Sequence, residues 1–171
     1  MSRLEISQVN SLSRDEFVRA IGPVFEHSPW IAELTWPKKP FASAAHLHRT
    51  LCDTVAHADA GRQLALIRAH PDLVGRLANG EELTRESANE QAGAGLHHLS
   101  AEEISRFETN NAAYKSKFDF PFIICARLNK KDAILDGFAQ RLQNNREQEL
   151  KTALEEIFKI AELRLRDLIA K

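Results

Sequence analysis

Long apolar runs are missing from this chain. No segment approaches the roughly 18 apolar residues needed to cross a bilayer, and the opening MSRLEISQVNSLSRDEF lacks the apolar core of a signal peptide. Ile169-Ala170-Lys171 is not a Ser-Lys-Leu peroxisomal address, so the expectation is a soluble, cytoplasmic protein without a membrane partner. An excess of either charge is missing too. Lys and Arg number 23 against 24 Asp and Glu, a net charge of −1 that offers nucleic acid no basic field. Cysteine is scarce: Cys52 and Cys125 lie far apart in apolar surroundings, which suggests buried thiols rather than a disulfide framework or a metal quartet. There is no HExxH, no paired CxxC, no carboxylate cluster, no GxSxG elbow and no glycine loop after a strand. His46 and His48, two apart on a helix, diverge, as do the adjacent His97 and His98. No metal site is expected.

What is present is helical punctuation. A chain of 171 residues fits one domain, 1–171, with a substantial core, and it contains no repeat, low-complexity segment or linker. Ser13-Arg14-Asp15-Glu16 reads as a capping box with Leu12 and Phe17 as a hydrophobic staple. Phe17, Ile21, Val24 and Phe25 follow at helical spacing up to the weak point Gly22-Pro23. Ser28-Pro29-Trp30 looks like a cap with Pro at the first helical position, and Pro37 and Pro40 end that helix in a loop. Ala44, Leu47, Leu51 and Val55 mark another helix, and Asp59-Ala60-Gly61 breaks it before Leu64 and Ile67 resume. His70-Pro71 stops the second of these. Asn79-Gly80 marks a turn, Thr84 caps a helix through Gln91, and Ser100-Ala101-Glu102-Glu103 is a second capping box, ahead of Ile104, Phe107, Asn111, Tyr114 and Phe118 in phase. The apolar run Phe118–Ala126 reads as extended chain leading into a helix, because no other segment alternates well enough to pair with a strand. Further helices carry Ile134, Leu135, Phe138 and Leu142, then Leu150, Ala153, Leu154, Ile157, Ile160, Ala161, Leu165 and Leu168. The expected fold is all-α, a compact bundle of about eight to ten mostly short helices.

Two neighbouring stretches carry the candidate chemistry. His70 stands at a helix end with Pro71 and Asp72 after it, and Asp72 is available to orient the imidazole. A lone histidine there also reads as an ordinary helix terminus. Ser87, Glu90 and Gln91 stand at i, i+3 and i+4 and project from one helix face. That face lacks Lys or Arg partners and runs into Ala92-Gly93-Ala94-Gly95, whose small residues allow a ligand or backbone to approach closely. A histidine and a carboxylate offered to one space can share or transfer a proton. Arg141, Arg146 and Arg164 are candidates for gripping an anion through a bidentate fork. Arg164, beside Ala161, Leu165 and Leu168, is the best placed to point inward.

Several short motifs, in this order, resemble one family. They are Phe25-Glu26-His27-Ser28-Pro29-Trp30, His70-Pro71-Asp72-Leu73, Leu83-Thr84-Arg85-Glu86-Ser87 and Glu90-Gln91-Ala92-Gly93-Ala94-Gly95-Leu96. Asn111, Tyr114 and Lys117-Phe118 follow, then Phe120-Pro121-Phe122-Ile123, and finally Lys159-Ile160 ahead of Leu163-Arg164-Leu165. Together they resemble the 2-oxo-4-hydroxy-4-carboxy-5-ureidoimidazoline (OHCU) decarboxylases of the uric acid pathway. The resemblance implies an all-α, cofactor-free carboxy-lyase, commonly a homodimer, that converts a small purine-derived substrate stereospecifically to (S)-allantoin. It implies that His70 is catalytic with Glu90 as its acidic partner. It also implies that Pro71, Ser87, Gln91 and Arg164 line or bind the substrate, and that Phe122, Ile123, Ile124, Cys125 and Ala126 add contacts through backbone groups. Two other readings stay open on the residues alone: a helical binding module, which would not accelerate decay of the substrate, and a metal-assisted hydrolase, which chelation would silence.

Overall fold

The computed structural model describes residues 3–74 and 83–170. Among them are nine α-helices, and the sole β-type pairing is an isolated parallel bridge between Leu4 and Ile169. The all-α expectation holds. No helix among the described residues is long and apolar enough to cross a membrane. The turn expected at Asn79-Gly80 lies outside the described residues.

The chain divides into two compact units, Met1–Ala69 with Phe158–Lys171, and His70–Ile157. In the first, α1 (Ile6–Ser11), α2 (Arg14–Ile21), α3 (Trp30–Thr35), α4 (Ala44–Ala56) and α5 (Ala60–Arg68) follow in order. Ser13 accepts from the Glu16 N–H and Glu16 reaches back to the Ser13 N–H, which completes the box that starts α2. At Gly22 the helix tightens into a 3-10 turn, Gly22–Val24, since Pro23 brings no N–H to continue the ladder. The start of α3 departs from expectation. Pro29, not Ser28, is the N-cap residue, and Ser28 serves through its backbone carbonyl, which accepts the Ile31 N–H at 3.2 Å. Ser43 and Asp59 cap α4 and α5 through their side chains. Phe17, Ile21, Ile31, Phe41, Leu47, Leu51 and Val55 fill this unit's core, each contributing about 1.5–3 kcal/mol by leaving water.

The second unit holds α6 (Arg85–Gly93), α7 (Ala101–Phe118), α8 (Lys131–Arg141) and the beginning of α9 (Arg146–Leu168). Its core is aromatic: Phe122 stacks on Phe138 at 3.8 Å, and Tyr114 meets the edge of Phe122 at 5.2 Å. α7 ends because Asp119 turns left-handed, φ 66, and Pro121 lies two residues beyond. Residues 121–125 then belong to no helix and pair with no strand among the described residues, and through the extended Cys125 they lead into one 3-10 turn, Ala126–Leu128. The expected passage from extended chain into helix is thus present, but the helix is a single turn. On α9 the buried face is mixed. Glu149 and Glu156 are buried with Ala153 and Ile157, whereas Leu168 is 37% exposed.

Candidate active site

All but one of the expected site residues fall in the second unit. α5 ends at Arg68 with Ala69 as its cap, and His70 follows directly, 8% exposed. Pro71 forces the chain away from helix there. Thr84 accepts the Ser87 N–H at 3.3 Å to start α6. On that helix Ser87 is buried while Glu90 and Gln91 are half-buried, so the face expected from spacing is partly withdrawn from solvent.

The His70 corner and α6 are tied together by one of the predicted residues. The Val74 N–H donates to Gln91 Oε1 at 3.2 Å. This bond also orients the amide: with its oxygen committed to a donor, Gln91 has its NH2 end for a ligand carbonyl. Asp72 does not act as an imidazole orienter. Its carboxylate takes the Lys115 ammonium at 2.5 Å, a cation that the α7 sequence places one turn beyond Asn111.

The segment 122–126 forms a further wall against α6. The helix packs on the 3-10 turn Ala126–Leu128, and Lys130 Nζ reaches the Gly93 carbonyl at 3.5 Å. Burial pushes the Cys125 thiol up in pKa; the Leu128 N–H opposes the rise, and the Glu156 and Glu90 carboxylates add to it. Cys125 is therefore a neutral group within reach of the Glu90 field. The backbone of this wall is partly committed. Ile123 O accepts from Arg141 at 2.5 Å, the Cys125 N–H donates to Glu156 at 2.8 Å, and Cys125 O accepts from Leu128 and Asn129, each at 3.0 Å. Both polar groups of Phe122 and of Ile124, the Ile123 N–H and the Ala126 N–H bond to no other described residue, so these are the backbone groups available to a ligand.

The three arginines divide. Arg141 is occupied: it donates to Glu149 at 2.9 and 2.8 Å and to Ile123 O, and its guanidinium lies 4.4 Å over the Phe122 ring. Arg146 donates to Phe118 O at 3.2 Å. Arg164 lies in the first unit, 5% exposed, with Nη1 3.1 Å from the fully buried Glu26 carboxylate and 3.4 Å from the Val24 carbonyl. It points inward, as its place beside the apolar face predicts, and its charge is matched by a buried acid.

Sequence reasoning missed the acids that organise this architecture. Glu149 accepts from Tyr114, Arg141 and Asn144, and burial followed by that Glu149 bond drives the Tyr114 hydroxyl well above its usual pKa. Glu149 and Glu156 occupy positions in phase with Ala153, Ile157 and Ile160, so charge on an apolar face was the available signal. Asn111, in phase with Phe107 and Tyr114, is 4% exposed and donates to Leu73 O at 2.7 Å. Among the described residues no group of three or more His, Cys, Asp or Glu side chains is arranged to hold a metal ion.

The family model for OHCU decarboxylase matches residues 10–166. The 2-oxo-4-hydroxy-4-carboxy-5-ureidoimidazoline decarboxylase of Amia calva is 43% identical over 97% of this chain and 95% of its own length. A crystal structure of (S)-allantoin synthase superposes with a TM-score of 0.78 at 27% identity, over 97% of this chain, which spans about half (54%) of that longer one. A structure of OHCU decarboxylase in the presence of (S)-allantoin matches with a TM-score of 0.67 at 25% identity, over 83% of this chain and 92% of that one. With the family model spanning both units and the relative matching nearly end to end, this chain belongs to the OHCU decarboxylase family.

Proposed function

We propose that this protein, acting as one domain over both units, decarboxylates 2-oxo-4-hydroxy-4-carboxy-5-ureidoimidazoline to (S)-allantoin, with His70 and Glu90 handling the proton. The observation that carries this reading is the Gln91–Val74 bond, which joins the His70 corner to the helix bearing Ser87 and Glu90. Family membership supports the reaction class, a carboxy-lyase of urate degradation.

The substrate's own structure supplies the electron sink. Its carboxylate leaves a ring carbon that also bears a hydroxyl and adjoins a C=N bond. When the bond to CO2 breaks, its electron pair forms C=C toward the neighbouring carbon, and the C=N pair moves to nitrogen, which takes a proton. The resulting enol becomes a ketone as its hydroxyl loses a proton and the ureido-bearing carbon gains one. No external electron acceptor is needed. What remains for the protein is orientation, stabilisation of developing charge and a proton on one face. In this scheme His70, held by Glu90, engages the hydroxyl and carboxylate region. Pro71 lines the pocket, Ser87, Gln91 and backbone groups among Phe122, Ile123, Ile124, Cys125 and Ala126 hold the ureido and ring amides, and Arg164 secures an anionic or carbonyl oxygen. The half-buried Glu90 and largely buried His70 suit this work, because a site sheltered from water strengthens each interaction with the ring.

Freshly generated substrate, followed by circular dichroism of the allantoin formed, tests the assignment. His70→Ala and Glu90→Gln are each expected to cut turnover by about a hundredfold or more, and wild-type turnover in either variant would refute the assigned roles. The reading extends to a cytoplasmic homodimer, for which light scattering during gel filtration should give twice the chain mass.

A further inference from the structure

The three residues after His70-Pro71 are each held by a side chain from a neighbouring helix. Lys115 Nζ lies 2.5 Å from the Asp72 carboxylate, Asn111 Nδ2 donates to Leu73 O at 2.7 Å, and Gln91 Oε1 accepts from the Val74 N–H at 3.2 Å. Asn111 and Lys115 are four apart on α7, so one helix face supplies two of the ties. The third comes from α6.

This stretch needs holding. Val74 has φ 63, a left-handed conformation that a β-branched residue adopts only where its surroundings over-determine it. Released, the chain from Pro71 to Val74 would relax toward ordinary backbone angles and carry His70 with it. The Asn111 bond dominates because it is buried: its residue is 4% exposed, whereas the side chains of Lys115 and Asp72 are 47% and 18% exposed. Asn111 is also poorly explained by packing. It occupies an apolar phase position between Phe107 and Tyr114, and its buried Oδ1 has no hydrogen-bond partner, a cost that an apolar side chain of the same volume avoids.

We propose that Asn111 is a positioning residue for the decarboxylation: by holding the Leu73 carbonyl it keeps Val74 left-handed and fixes the direction in which the corner presents the His70 imidazole, with Lys115 as a weaker second tie. The assignment rests on the reading of His70 as the proton-handling group. It concerns orientation of a reacting group, where a displacement of about 1 Å can cost on the order of a hundredfold in rate.

Asn111→Leu tests it, because that change removes the donor and the orphaned acceptor together while keeping the branching at Cγ. The expected result is a kcat lowered about ten- to a hundredfold with KM changed less than about threefold, measured well below the thermal midpoint. A folded Asn111→Leu protein with kcat within about twofold of wild type would overturn the assignment, since a purely structural role alters the melting temperature but not kcat. Should that variant fail to fold, Lys115→Met at the half-exposed tie replaces it. A kcat drop of about two- to fivefold with restoration in Lys115→Arg supports the proposal, and an unchanged kcat overturns it. His70→Ala in parallel separates the two levels. If it is inactive while Asn111→Leu is fully active, the positioning role alone falls; if it keeps wild-type turnover, the reading of His70 falls and takes the positioning role with it.

Discussion

Replacing Glu149 by Gln should be among the most damaging conservative changes available in this chain. Glu149 is 0% exposed and is bonded to Tyr114 Oη, Arg141 Nε and Nη2, and Asn144 Nδ2. The amide nearly preserves shape but removes the charge opposite an Arg141 side chain that is only 11% exposed. Breaking a buried pair from one side costs about 3–5 kcal/mol, because the remaining charge stays desolvated. For a chain of this size each kcal/mol lowers Tm by about 2–4 °C, so the melting point should fall by roughly 6–20 °C. Glu155→Gln is the reference. Its partner Lys151 is 3.9 Å away with the two side chains 56% and 79% exposed, where such pairs contribute less than about 1 kcal/mol. Scanning calorimetry at pH 7 reads both variants. A Glu149→Gln protein melting within about 2 °C of wild type would show that the Arg141–Glu149 pair is not desolvated as described. The pair also holds the Ile123 carbonyl through Arg141, so loss of activity beyond loss of folded protein is expected.

The thiols should be inert in the native state. Burial, reinforced by the nearby Asp53 and Glu162 carboxylates, pushes Cys52 up to about 12. Its thiolate fraction at pH 8 is then about one in ten thousand, and a thiol-disulfide reagent should modify neither cysteine until denaturant is added; prompt native labelling of Cys52 would contradict this. Glu16 and Glu103 have pKa values held below the ordinary 4.5 by side-chain hydrogen bonds, from Ser13 and Lys131 respectively. With the folded value depressed, their stabilisation is fully present above about pH 4.5 and is lost as the pH falls through the lower folded value. The stability gap between wild type and a Glu16→Gln, Glu103→Gln double variant should therefore close in acid, and a gap independent of pH would refute the assignment. Arg164→Lys keeps the charge but loses the planar fork. An increase in KM of about tenfold is expected, and an unchanged KM would confine Arg164 to its pair with Glu26.

Local rules carried most of the fold. The boxes at Ser13 and Ser100 and the cap at Thr84 act where backbone amides and short side chains meet within one turn, and the structure places helix starts at each. That the stretch around Pro121 leaves the helix was legible because Pro121 and the absence of an alternating partner argue locally. Long-range pairing was not legible. Nothing near Glu149 in the sequence announces that Tyr114, 35 residues away, and Arg141 converge on it. The Leu73 carbonyl gives no hint that Asn111 is its donor, 38 residues on. Asp72 shows the hazard of proximity, since its sequence neighbour His70 was the obvious partner and Lys115 is the actual one. For the site, the α6 face of Ser87, Glu90 and Gln91 follows from helical periodicity. Which end of the Gln91 amide is available to a ligand follows only from its bond to Val74.

Decarboxylation of freshly generated OHCU, followed by circular dichroism, tests the central claim most directly. Wild-type protein should outpace spontaneous decay and give (S)-allantoin alone, with His70→Ala returning the rate close to the uncatalysed one. Decay no faster than that of substrate without protein, or a racemic product, would contradict it.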